Sequence, residues 1–215
     1  MNDWMVKRFE WDDAYRPDRG KVLDAAALEK VQRFSRYLDV DGDGIAARTL
    51  PGVGGKGAYF VRGSGHDKHA AYTEDSDAYQ EVVDRLTRKF AHAATVVPTP
   101  AFVLQSGADV GLVTIGGCDA AVREAADMLR GHGVIVDIMR VRAFPFGEEV
   151  REFLSKHERT FVIEQNRDAQ LKSLLTIELQ VAPDTLTSIL DYGGMPLTAQ
   201  VVVNGVSARV AGVPA

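Results

Sequence analysis

The chain has 215 residues, 46% hydrophobic and 26% charged, which describes a globular protein with room for one good-sized core and an appendage. Its 25 Lys plus Arg against 30 Asp plus Glu, with no basic run or aromatic-basic stripe, argue against a nucleic-acid partner. A single cysteine, Cys118, excludes an internal disulfide framework and any cysteine-ligated cluster made by this chain alone. With no signal-peptide core and no run of ~20 apolar residues, a cytoplasmic protein without a membrane span is expected.

Residues 1–20 mix Trp4, Phe9, Trp11 and Tyr15 with acids and a proline, without periodicity. They predict an extended arm whose aromatics cover a neighbouring domain or subunit. DAAALEKVQRFSRYL (24–38) spaces Leu28, Val31, Phe34 and Leu38 three to four apart after an Asp24 cap and predicts a short amphipathic helix. A glycine- and charge-rich stretch follows over 37–75. From Ser76 to about Ala94, Tyr79, Val82, Val83, Leu86 and Phe90 form one stripe opposite Arg and Lys, predicting a helix that packs by that face. Pro98 and Pro100 interrupt it.

Beyond that break the pattern alternates. Val110–Ile115 reads as strand, Cys118–Arg130 as helix, Val134–Val141 as strand and Phe146–His157 as helix. Thr160–Glu164 reads as strand, Ala169–Leu179 as helix and Thr187–Leu190 as a further strand, leaving Pro196–Val210 ambiguous. Such alternation predicts an α/β fold, a mostly parallel sheet with helices on both faces. The domains are expected at 1–97, an irregular N-terminal connector with short helices and a Gly-rich loop, and 98–215, the α/β domain.

Several motifs invite chemistry. Asp39-x-Asp41-x-Asp43-Gly44 imitates the first half of a calcium loop, but position 12 falls on Leu50 where a bidentate Glu is needed. GVGGKG (52–57) lacks the GxxxxGK[ST] spacing of a phosphate loop. Arg62, His66, Asp67 and His69 make a charged loop suited to a partner or substrate, with glycines that argue against a metal site. Gly116-Gly117 follows a strand where doubly wound folds bind ligands, making these two residues a weak cofactor-binding candidate. Cys118, at the start of the next helix, would have a more accessible thiolate, but no base accompanies it. Glu164-Gln165-Asn166 crowds the same sheet edge, with Asn166 or Asp168 as the expected helix cap.

Six strings taken in order resemble one family: RGKVL at 19–23, RYLDVDGDGIAARTLPG at 36–52, GAYFVRGSGHD at 57–67, YTED at 72–75, LTRKF at 86–90 and FVIEQNRDAQL at 161–171. The sequence is similar to the carboxy-terminal portion of the alpha subunit of 2-oxoacid:ferredoxin oxidoreductases, most like the 2-oxoglutarate branch. The resemblance implies a transketolase carboxy-terminal-like domain within a thiamine-diphosphate enzyme. That enzyme decarboxylates a 2-oxoacid oxidatively, forms the acyl-CoA and passes electrons through an iron–sulfur cluster to ferredoxin.

MNDWMV looks like the interior of such a subunit, immediately after its pyrimidine-binding domain. The resemblance therefore implies thiamine diphosphate, magnesium and the cluster only in the complete complex, with none held by this chain alone. The implied partners are the beta subunit, the missing pyrimidine-binding domain and, through the complex, ferredoxin, in a homo- or hetero-oligomer. No catalytic residue and no metal ligand is expected here. Arg48 is the residue chosen for the substrate carboxylate, with His66 and Asp67 second, although Gly65 and Lys68 stand where relatives often carry acids. Two rival readings stay open: a stand-alone α/β module binding a nucleotide or CoA at Gly116-Gly117, and a calcium-binding connector.

Overall fold

The structure, a computed structural model, describes residues 8–210. They fall into two units, one of 10–96 and one of 97–210 together with 8–9.

The second unit holds a five-stranded sheet. Its strands are β1 (Ala101–Val103), β2 (Val110–Ile115), β3 (Val136–Val141), β4 (Arg159–Glu164) and β5 (Leu186–Leu190), in the order β1-β3-β2-β4-β5. β2 to β5 pair in parallel, whereas the short edge strand β1 runs antiparallel to β3. The mostly parallel sheet therefore stands as expected, and the missed strand β1 follows directly on the prolines read as a break. Four helices connect and cover the strands: α3 (Asp119–Gly131), α4 (Glu148–Lys156), α5 (Gln170–Leu179) and α6 (Ala199–Ser207). The last resolves the ambiguous tail.

Alternation along each strand sorts the core into two layers. Leu112, Ile138, Phe161 and Ile163 pack one face against Val122, Leu129, Val202 and Val206 of α3 and α6. Val113, Met139 and Val162 pack the other against Val150, Phe153, Leu171 and Leu175 of α4 and α5. Among these apolar groups sits a buried carboxylate, Asp137. It accepts hydrogen bonds from Gln105 N–H at 2.6 Å and Lys156 Nζ at 2.8 Å, and meets His157 Nε2 at 3.0 Å. Gly111 on β2 makes room for this group, because a Cβ there would lie 3.0 Å from both His157 and Phe153.

The first unit, 10–96, has little apolar interior. Its helices are α1 (Ala25–Glu29) and α2 (Ser76–Val96). Asp24 caps α1 as expected, its Oδ1 accepting Ala27 N–H at 2.7 Å. The helix then stops after one turn and buries only Leu28, so the helix predicted to 38 is corrected: Ser35 is held instead by its hydroxyl, 2.7 Å from His69 Nδ1. α2 forms as predicted, but the packing face does not. Tyr79 and Phe90 are exposed, Val83 and Leu86 partly so, and the residue that α2 buries is Arg85. The arm's Phe9 and Trp11 are exposed, at 82% and 71%, and Trp4 lies outside the described residues.

Candidate functional site

Two strings distant in sequence build the wall of a cavity in the first unit. RGKVL and RTLPG pair in a short parallel bridge, Val22 against Arg48, with Arg48 N–H donating to Lys21 C=O and Leu23 N–H to Arg48 C=O, each at 2.9 Å. That pairing sets Arg19, Lys21 and Arg48 along one side of a cavity of about 490 Å³. Arg36, Tyr37, Arg85 and Lys89 line it as well. Arg48 donates from Nη2 to Arg19 C=O at 2.9 Å, which fixes the guanidinium at the rim.

The aspartate-rich loop is explained by Lys21. Asp39, Asp41 and Asp43 bring carboxylate oxygens within 4.8 Å of one another, the arrangement a cation favours. Lys21 Nζ occupies that role. It lies 2.6 Å from Asp41 Oδ1, 2.7 Å from Asp43 Oδ1 and 3.0 Å from Ile45 C=O. Desolvation works against the ammonium, but the two carboxylates outweigh it and raise its pKa, while Lys21 in turn holds Asp43 below the usual carboxylate range. Asp39 accepts from Gly42 and Gly44 N–H and from Arg88. Gly44 adopts φ +82° and presses on α2 so closely that a Cβ would fall 2.2 Å from Lys89 N. The loop is thus clamped to the helix, with Gly44 C=O receiving Arg85 Nη1 at 2.8 Å.

His66 and Asp67 stand elsewhere in the unit. His66 stacks on Tyr37 with ring centroids 4.1 Å apart and does not line the cavity. Asp67 is spent on its own turn, accepting His69 N–H at 2.8 Å and Ala71 N–H at 2.9 Å. Burial pushes its carboxyl up, but those two N–H groups prevail and hold it below the ordinary value. Of the three residues chosen for substrate, the structure sets Arg48 alone on the cavity wall.

In the second unit, Gly117 borders a cavity of about 480 Å³ between α3 and the start of α6, along with Ala120, Ala121, Glu124 and Thr198. Its wall bears one acid and no cation, a poor match to a diphosphate. Cys118 is buried, and burial pushes its thiol up, so the more accessible thiolate expected from its helix-start position is corrected. The polar end of β4 has a structural explanation: Glu164, 1% exposed, accepts Leu171 N–H at 2.6 Å, Lys172 N–H at 3.1 Å and Asn166 Nδ2 at 2.7 Å. It caps α5 from the preceding strand, a role that sequence reading gave to Asn166 or Asp168. Asn166 Oδ1 still takes the N–H groups of Asp168 and Gln170.

A curated relative from Aeropyrum pernix, 2-oxoacid:ferredoxin oxidoreductase 2 subunit alpha, is 32% identical over 184 residues, 83% of this chain. The chain is related to the 2-oxoacid:ferredoxin oxidoreductase alpha subunits. It spans 27% of that relative's length. The family model for pyruvate:ferredoxin oxidoreductase core domain II matches residues 108–202, which lie within the sheet unit of this oxidoreductase relative. Among solved structures, the 2-oxoglutarate:ferredoxin oxidoreductase from Magnetococcus marinus, with 2-oxoglutarate, coenzyme A and succinyl-CoA bound, superposes with a TM-score of 0.71 at 22% identity. That match covers 81% of this chain and 30% of that one. It shows a shared α/β fold.

Arg36 and Arg85 escaped sequence reading. Arg36 sits in a string used for the resemblance, and α2's periodicity assigned Arg85 to a solvent face. A basic helix face beside a glycine-rich acidic loop was the available signal.

Proposed function

We propose that this chain is the carboxy-terminal part of a thiamine-diphosphate-dependent 2-oxoacid:ferredoxin oxidoreductase alpha subunit, serving in assembly and active-site closure, with 2-oxoglutarate as the substrate. The observation that carries the reading is the 32% identity running over 184 residues, long enough to take in residues of both units. In the complete complex the reaction is oxidative decarboxylation to the acyl-CoA, with electrons passing to ferredoxin. The cofactor supplies the carbanion chemistry. In the sheet unit, one buried cysteine ligates no cluster and the Gly117 cavity lacks a cation for a diphosphate, while Lys21 takes the aspartate group that could have held magnesium. The cofactors are assigned, on the family resemblance, to the beta subunit and the pyrimidine-binding domain, which are the proposed cytoplasmic partners.

Arg48 is the proposed carboxylate ligand, since a guanidinium fork at a cavity rim grips a carboxylate with two hydrogen bonds. His66 and Asp67 act in that loop's conformation. The test compares this chain alone with this chain co-expressed with a beta subunit and a pyrimidine-binding domain. Each sample receives thiamine diphosphate, magnesium, 2-oxoglutarate, CoA and ferredoxin, and ferredoxin reduction is followed. Turnover is expected only from the assembled sample; turnover by the chain alone, or none from a verified assembly, contradicts the proposal.

A further inference from the structure

The cavity behind Arg48 carries positive charge that its surroundings do not balance. Arg19, Arg36, Arg48, Arg85 and Lys89 border it, and none of them makes an ion pair with a carboxylate among the described residues. Lys21 is committed to Asp41 and Asp43, and the carboxylate of Asp18, on the same wall, accepts Gly20 N–H. Two of the cations are deep. Arg85 is 7% exposed, donates from Nη1 to Gly44 C=O, and has a buried Nε without a partner. Arg36 Nε is buried and unpartnered too, and its Nη1 reaches Ala47 C=O only at 3.5 Å.

Both guanidinium groups lie against one ring, 5.1 Å and 5.8 Å from the centroid of Tyr37 for Arg36 and Arg85. Burial first, and then the charge of Arg36, depresses Arg85 below its ordinary value. Asp39, the carboxylate that offsets this, is already held by Arg88 and two backbone N–H groups. Two half-satisfied guanidinium groups sharing a ring cost free energy until an anion joins them.

We propose that this cavity binds the phosphate group of a phosphorylated small molecule, with Arg36 and Arg85 as the paired forks and Arg19, Arg48 and Lys89 at the rim. A phosphate dianion offers tetrahedral oxygens to two separate forks at once, whereas a carboxylate is matched by one. The volume of about 490 Å³ is far larger than the ion and leaves space for the organic part of an ester. The inference goes beyond the oxidoreductase reading and concerns binding by this chain alone, so it stands or falls separately from Arg48's part in turnover.

Isothermal titration of the full chain at low salt with inorganic phosphate, CoA and dephospho-CoA tests it. Saturable binding at one site is expected, weakened at least tenfold in Arg36→Gln and in Arg85→Gln. CoA binding tighter than both phosphate and dephospho-CoA identifies an ester as the natural source; phosphate binding as tightly as CoA identifies the free ion, overturning the ester assignment. Folding is followed by melting. Arg36→Gln should melt no lower than wild type without phosphate, and should lose the rise that phosphate gives the wild type. Absence of saturable binding by all three probes, unchanged binding in both variants, or an equal phosphate-induced rise in wild type and Arg36→Gln overturns the proposal.

Discussion

Replacing Asp137 by Ala removes the acceptor at the centre of a network inside the sheet unit. Three donors converge on it, and their contributions differ. Lys156 is about half exposed, so its share is that of a screened ion pair, about 0–1 kcal/mol. Gln105 N–H and His157 are the costly partners, because His157 is fully enclosed and the amide loses a charge-assisted bond of 2.6 Å. At about 1.5–3 kcal/mol for each hydrogen bond to a charged group, the loss is about 3–6 kcal/mol, which spans the range of about 3–5 kcal/mol for breaking a buried pair. For a domain of this size that lowers the melting temperature by at least about 12 °C. Denaturant unfolding of wild type and Asp137→Ala, followed by circular dichroism across a pH series, is the assay.

The sign of the pH effect follows from the cause. Burial raises the Asp137 carboxyl, but Lys156, Gln105 N–H and His157 together hold it below its ordinary value. Its stabilisation is therefore complete above the unfolded Asp value of about 3.9 and is lost as pH falls through the lower folded value. Asp137→Ala should narrow the gap to wild type in that acid window. A difference under about 1 kcal/mol at neutral pH, or a gap that does not shrink in acid, would refute the reasoning.

Other expected outcomes are simpler to read. Lys21→Ala leaves Asp39, Asp41 and Asp43 facing one another, so the first unit should melt lower and recover part of the loss on adding calcium or salt; a variant melting like wild type speaks against the ammonium's role. Glu164→Ala strips the cap from α5 and should cost about 2–3 kcal/mol in denaturant unfolding. Gly44→Ala drives a Cβ into the backbone of α2 and should expose amides near 39–45 to hydrogen exchange, with exchange unaltered as the contrary result.

The sheet unit was legible because its signals are local. β2 shows as an unbroken apolar run, and α3 and α5 announce themselves by period. Boundaries moved where glycine or a special φ intervened, as at Ala169, which enters α5 in the left-handed region. The connector was less legible because its bonds join residues far apart: Lys21 to Asp43, Arg48 to Arg19, Arg85 to Gly44. No periodicity spans such intervals, and a helix whose polar side faces its own unit inverts the usual reading of amphipathicity. The strings carried the family while concealing what each residue does.

Lys21 gives the aspartate loop a built-in counter-ion. A tethered ammonium competes at an effective concentration fixed by the chain, of millimolar order for a short tether, while a free divalent ion must be supplied by the solvent. The loop's shape is thereby decoupled from metal supply. The clamp on α2, and with it the spacing of the arginines beyond, is then set when the chain folds, and adding a chelator should leave the melting temperature unchanged.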